Sequence, residues 1–437
     1  MGKNVFLTGI SRLGARVLGT WSMLIWHITT KDPYTALDVR LFEKAIALDP
    51  RYRQAWEELG DCFSFGWGTP VDKARAYEAY CHGAALGSAR CCKHAADIIY
   101  RDEHGDRERM YRFYRKAAEQ GYNPALADLG LCYELGDGVP QNAHYAVRCY
   151  EEADRLGVIL GTAFLGDCYY HGNGVSQDRQ RACALWKKAA RKGDGTALCR
   201  LGIEYRSGDV LEQDLPKAVR LFRKAVKKNS GTAMYLLGLC FLNGKGVQED
   251  RDRGLELIRQ AAEVGNIPAC SYLGICEEDE AFLEKAVRGG DPDAMCWRGN
   301  TLRWEEKFLE ASEFYEKSWE QGYESAGYAL AEMYLCHDLE PMDVEKVKAI
   351  GEALEKSEDP EYVRKAWAIL SDVCLRYTRD FERGVSYSRL MAEQGEAVAY
   401  YNLAMAYRHG LGVEADEAEA ERFLKLALDL GYEPEEG

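Results

Sequence analysis

Proline is scarce, 11 of 437 residues, and no Pro- or Ser-rich stretch interrupts the chain. Without such linkers we expect one elongated body rather than separate beads. Basic residues are also in deficit, 56 Lys and Arg against 71 Asp and Glu, for a formal net charge of −15. Binding to a nucleic-acid backbone needs the opposite balance, because Lys and Arg are what displace condensed counterions. No nucleic-acid partner is expected. The 15 cysteines include no C-x-x-C pair, and an odd count scattered along the chain does not read as a disulfide framework. Many, such as Cys132, Cys168 and Cys240, stand where a small apolar helix residue would fit. A reducing, cytoplasmic setting follows. Catalytic signatures are missing too: no H-E-x-x-H, no S-x-x-K, no complete P-loop or dinucleotide fingerprint. Neither an enzyme nor a cofactor is implied.

The longest apolar-rich stretch near the N-terminus, Val17 to Ile28, is shorter than the roughly 20 residues that span a bilayer. Leu13, Val17, Trp21, Leu24, Ile25 and Ile28 recur at helical spacing, as in a helix that caps a larger body. Arg12 and Arg16 precede it and no acid appears before Asp32, so residues 5–30 also fit a membrane-contacting or targeting segment. Met1-Gly2 begins a myristoylation signal, but Phe6 stands where Ser or Thr is needed.

What is present is a repeat. Gly130, Gly166, Gly202, Gly238 and Gly274 are each 36 residues apart, and each follows a leucine. Leu59-Gly60 continues the series upstream, with Ala95 at the position between. Leu126, Leu129, Gly130 and Tyr133 fall at i, i+3, i+4 and i+7, which makes one apolar helical stripe. Leu198, Leu201, Gly202 and Tyr205 repeat it. Glycine inside a helix costs about 1 kcal/mol relative to alanine. Its recurrence predicts close approach of a partner helix.

A turn follows each stripe: Gly136-Asp137-Gly138-Val139, Gly172-Asn173-Gly174-Val175 and Gly244-Lys245-Gly246-Val247. Glycine supplies the positive φ that stops a helix and reverses the chain. A second helix then carries Ala146, Tyr150 and Ala153, matched by Ala182, Trp186 and Ala189 and by Ala218, Phe222 and Ala225. Small residues admit a neighbouring helix and the aromatic fills the space between.

These motifs, L-G-x-x-Y-x-x-G-x-G-V followed by A-x-x-x-W/Y/F-x-x-A-A, resemble the Sel-one-like repeat family, a branch of the tetratricopeptide-like solenoids. Residues 120–275 carry the likeness closely, and 54–119 and 396–431 carry it fairly. The resemblance implies an all-α, right-handed α/α superhelical solenoid of about ten or eleven helix–turn–helix repeats. It divides the chain into an N-terminal helix (1–32), mixed repeats (33–119), regular repeats (120–275), degenerate tetratricopeptide-like repeats (276–395) and a last repeat with an acidic tail (396–437). Glu277 replaces the expected aromatic and only 25 residues separate Gly274 from Gly299, so a local change of path is expected near 276–300.

Solenoids of this kind look like interaction scaffolds, binding a protein or peptide partner on the surface lined by first helices. By the geometry of the relatives, groove residues lie three before the repeat glycine and one, four or five after it. This selects Asp167, Tyr170, His171, Arg206, Tyr235 and Asn243. Tyr133, Tyr169 and Tyr205 are expected in the core. Second helices carry a basic series, Lys187, Lys188, Arg191 and Lys192, then Arg220, Arg223, Lys224, Lys227 and Lys228, which reads as a solvated face.

One cluster offers other chemistry. Cys81, His82, Cys91, Cys92 and His94 are ligand types that zinc favours, although their spacing fits no familiar zinc module. Some secreted, cysteine-rich relatives are linked to binding or hydrolysing β-lactam-type compounds through cysteines eight apart. No two cysteines here are eight apart, and that activity is not carried over.

Overall fold

The computed structural model describes residues 34–102 and 104–432. Among these residues there are α-helices, one π-helical turn and no strand. The chain is an all-α helical repeat solenoid, and its contacts divide it into two compact units, residues 1–250 and 251–437. The predicted N-terminal helix and the acidic tail from Glu433 lie outside the described residues.

In the first unit, α1 (Ala36–Leu48) precedes five helix pairs. These are α2 (Arg53–Phe65) with α3 (Lys73–Ala85), α4 (Ala89–Tyr100) with α5 (Arg107–Glu119), and α6 (Ala125–Leu135) with α7 (Ala143–Arg155). Then come α8 (Ile159–His171) with α9 (Arg179–Arg191) and α10 (Gly195–Ser207) with α11 (Leu215–Val226), and α12 (Gly231–Leu242) closes the unit.

The repeat glycine does what its recurrence predicts. A Cβ on Gly166 would stand 2.5 Å from Nε1 of Trp186, and one on Gly202 would stand 2.5 Å from Phe222. Tyr80 lies on Gly60 and Tyr150 on Gly130 in the same way. These rings are almost wholly buried and form the centre of each pair. Their polar edges are satisfied from the first helix: Tyr80 donates to Asp61 at 2.7 Å, Tyr114 to Asp97 at 2.9 Å and Tyr150 to Glu134 at 2.7 Å. Phe222 has no polar edge, and Ile203 stands where Asp61 and Asp167 stand in other repeats.

Turns lock each pair. Gly136 and Gly172 end their helices at φ +80° and +79°. Asn142, Asp178 and Asp214 cap the second helices, each accepting from the backbone N–H three residues on, at 3.1, 2.8 and 2.8 Å. Gln141, Gln177 and Gln213 each donate back to the first helix, to the carbonyls of Glu134, Tyr170 and Arg206 at 2.8 Å.

In the second unit, α13 (Arg251–Glu263) precedes α14 (Ile267–Cys276) with α15 (Glu280–Arg288), α16 (Pro292–Trp304) with α17 (Phe308–Glu320) and α18 (Glu324–Leu335) with α19 (Val344–Leu354). There follow α20 (Pro360–Asp372), a π-helical turn (Val373–Thr378), α21 (Phe381–Glu393), α22 (Ala397–His409) and α23 (Glu417–Asp429). The irregular repeats keep the pairing with different contacts. The α14–α15 turn lacks its glycines, and Glu278 takes the positive φ, +55°. No aromatic lies over Gly274; a Cβ there would meet Cα of Leu283 at 2.6 Å, so backbone fills the place of a ring. Ser371 replaces the repeat glycine of α20, and its hydroxyl lies 2.9 Å from that of Ser388.

Candidate partner-binding surface

Surface chemistry in the first unit concentrates where first helices end and turns begin. The residue five after the repeat position ends its helix or, as Asn243 does, caps it. Phe65 and Leu135 occupy that position and are 54% and 56% exposed, large values for apolar side chains; Tyr100 holds it in α4 and is also exposed. Farther along, the same position holds His171, Ser207 and Asn243. The core register is therefore repeated while this edge changes from apolar to polar.

The six sequence-selected residues separate by role. Asp167 is largely covered: its Oδ1 accepts from Trp186 Nε1 at 3.1 Å and lies 3.2 Å from Arg200 Nε. Burial raises its pKa above the usual carboxylate range, and Arg200 opposes the rise. Its charge is engaged within the fold. Tyr170 is partly buried against Trp186, with ring centroids 5.2 Å apart, and Arg179 lies 5.1 Å over its ring. His171 is exposed beside Tyr170. Tyr235 is partly buried.

Arg206 and Asn243 come together. They line one cavity of about 480 Å3 with Ser207, Gln213, Leu215, Leu239, Cys240 and Lys245. No carboxylate is among the lining residues. Arg206 stands where Tyr170, whose ring packs on Trp186, stands one repeat earlier. Among the described residues, neither Arg206 nor Lys245 forms an ion pair. Asn243 donates to the Leu239 carbonyl at 2.9 Å.

Of the tyrosines expected in the core, Tyr169 is buried, whereas Tyr133 and Tyr205 are half-buried at the turn. Arg181 lies 4.1 Å over Tyr169 and Lys217 Nζ lies 3.9 Å over Tyr205. A cation from the second helix thus covers the open face of each ring.

The 81–94 cluster does not converge. His82 stacks on Trp56 and His94 on Tyr80, while Cys81 faces Arg109 at 3.8 Å and Cys91 packs on Gly83. Among the described residues no group of three or more His, Cys, Asp or Glu is placed to hold a metal ion. Nor is any described helix long and apolar enough to cross a membrane.

The repeat seen in the helices is matched by a known family profile, the Sel1 repeat, at residues 57–88, 106–122, 123–158, 160–194, 195–230, 231–266 and 397–432, more than half of the chain. The chain belongs to the Sel1 repeat family. It is 32% identical over 169 residues to the DAP3-binding cell death enhancer 1 of Rattus norvegicus, and 30% identical to that of Mus musculus. The likeness covers 30% of this chain and spans only about a third, 32%, of those relatives. Among solved structures it is similar to a protective antigen of uropathogenic Escherichia coli that displays an SLR fold. That likeness has TM-score 0.47 and 22% identity, over 90% of this chain and 89% of the other. A Sel1 repeat protein from Oxalobacter formigenes matches with TM-score 0.37 and 22% identity, over 58% of this chain and 93% of that one.

Comparison of the Sel1 repeats with one another exposes a residue that the groove rule passed over. Two positions after the repeat glycine stand Cys62, Cys132, Cys168 and Cys240, all buried. The repeat at 195–230 places Glu204 there, 2% exposed, and its Oε2 has no hydrogen-bond partner. The signal was present in the sequence as a glutamate between Cys168 and Cys240 in a column of cysteines.

Proposed function

We propose that this Sel1 repeat chain is a non-catalytic scaffold that binds a partner protein or peptide along the ends of its first helices. One observation carries the reading: an aromatic ring packs on a buried repeat glycine at Gly60, Gly130, Gly166 and Gly202, while the exposed edge beside that register passes from Phe65, Tyr100 and Leu135 to the polar His171, Ser207 and Asn243. A constant core beside a varied surface suits recognition of one extended partner by several successive repeats. Tyr170, His171, Arg206, Tyr235 and Asn243 would meet that partner, with Asp167 acting from beneath by holding Trp186 and Arg200. The Rattus norvegicus relative is named for binding another protein, DAP3, and a protein-binding role is proposed here in that general sense. We place the scaffold in the cytoplasm, because its 15 cysteines are all free thiols, most of them buried. The acidic balance speaks against a nucleic-acid partner.

The test is capture from the native host's lysate under reducing conditions. The baits are the intact chain and a folded variant carrying Tyr170→Ala, Arg206→Ala and Tyr235→Ala. A partner retained by the first and lost by the second supports the reading; a hot-spot loss is at least about 2 kcal/mol. Equal retention by both would remove the binding surface from this edge.

A further inference from the structure

The cavity between the α10 and α12 ends is open in shape and one-sided in charge. Its two cations come from different repeats, Arg206 from the end of α10 and Lys245 from the turn after α12. Lys245 is the middle residue of a G-x-G turn. The corresponding turn residues are Asp137, Asn173 and, after Gly208, Asp209. The sign of the turn therefore reverses at one repeat only within this run, and it does so beside an arginine that has no acidic neighbour in the cavity.

That arrangement is costly unless something answers it. In a chain of net charge −15, two cations face one cavity without an ion-pair partner among the described residues. Cations left this way sit near each other at the expense of mutual repulsion, and an anion that enters removes it. The other walls narrow the choice of anion. Leu215, Leu239 and Cys240 form an apolar side that a bare, fully hydrated anion would not use. Asn243 Nδ2 is engaged with the Leu239 carbonyl, and the amide oxygen is an acceptor that suits a backbone N–H of a bound chain.

We infer that this cavity receives a glutamate or aspartate side chain of the partner, its carboxylate between Arg206 and Lys245 and an adjoining apolar residue on Leu215 and Leu239. The partner segment is thus an acidic peptide with an apolar neighbour to its anionic residue. This rests on the scaffold reading and names the chemistry of one of its contacts. Arg206 supplies the directional part, since its planar fork matches a carboxylate, and Lys245 supplies a point charge.

The experiment is selection of random dodecapeptides displayed on phage, panned in parallel on the full chain and on its Arg206→Glu, Lys245→Glu variant. Far-UV circular dichroism and melting confirm that the variant is folded, and an Arg206→Gln, Lys245→Gln variant serves if the reversal perturbs it. The expected result is enrichment of peptides with Asp or Glu beside an apolar residue on the native chain, lost on either variant. A selected peptide, fluorescein-labelled, should lose about tenfold or more in affinity when its acidic residue becomes Asn or Gln. It should resist competition by millimolar inorganic phosphate; displacement by phosphate would overturn the assignment to a peptide carboxylate. Peptides enriched without acidic bias, or enriched equally by both proteins, would overturn the carboxylate site and leave the scaffold reading standing. No enrichment on either protein would count against the scaffold reading itself.

Discussion

Trp186 packs against Gly166, and its indole nitrogen donates to two acceptors of the same helix: Asp167 Oδ1 at 3.1 Å and the Ala163 carbonyl at 3.3 Å. The ring is held at its polar edge by these two bonds. Gly166→Ala should therefore destabilise the protein, even though alanine is the better helix former by about 1 kcal/mol. Overpacking a tight site costs about 1–3 kcal/mol and exceeds that gain here. The midpoint of urea unfolding checks it; an unchanged or raised midpoint would show that the ring yields.

Glycines of the turns should divide by what surrounds them. Gly174 has φ +70°, and a Cβ there would stand 2.5 Å from the carbonyl carbon of Ala143 in the preceding repeat. Gly121 has φ +81° with open space around it. Gly121→Ala should cost only the left-handed penalty of about 1–2 kcal/mol. Gly174→Ala should cost clearly more, because backbone must shift as well. Equal losses in thermal melts would mean that the inter-repeat contact is soft.

Glu204 should be a source of instability. Its buried Oε2 lacks a partner, and a buried unsatisfied polar group costs about 1–3 kcal/mol, more when charged. Glu204→Met keeps the length and removes the carboxylate. We expect a higher melting temperature at pH 7. A lower one would indicate that Tyr170, whose pKa is raised by burial and then by Glu204, depends on that carboxylate for its position.

Asp128 gives a pH signature. Burial raises its pKa from the ordinary 3.8 to about 6, against the pull of Lys93 3.6 Å away. A carboxyl group with a raised folded pKa contributes stability that is fully present below the unfolded value and is lost as pH rises through the folded one. That contribution should disappear between about pH 4 and pH 6. Asp97 works in the opposite sense: its pKa is lowered by bonds from His94, Lys93 and Tyr114 that outweigh burial, so its contribution is lost as pH falls. Asp128→Asn isolates the first effect. Relative to the native protein, the variant should gain melting temperature at pH 7 compared with pH 4. Parallel pH profiles for the two would place the titration elsewhere.

Much of this molecule is legible along the chain because its strongest signals are local. The i, i+3, i+4, i+7 stripe ending at Tyr133, the paired turn glycines and the Ala146-Tyr150-Ala153 series each lie within a single helix or turn, and periodicity alone assigns them to an all-α repeat. Even the glycine–aromatic contact was readable, since a helix tolerates repeated glycine only where something presses on it. What periodicity could not decide is which polar side chains remain available. Asp167 and Arg206 both satisfied the groove rule, yet Asp167 is taken up by Trp186, 19 residues on, and Arg200, 33 residues on. Arg206 instead meets Lys245 and Asn243 of the next repeat across an open cavity. The physical reason is that a carboxylate or guanidinium finds its partner across the helix pair and between repeats, at separations set by how the repeats stack. The amino-acid order determined the helices and the core; only the stacking of one repeat on the next decided which charges are neutralised, which buried carboxylate oxygen, Glu204 Oε2, lacks a hydrogen-bond partner, and where two cations line an open cavity.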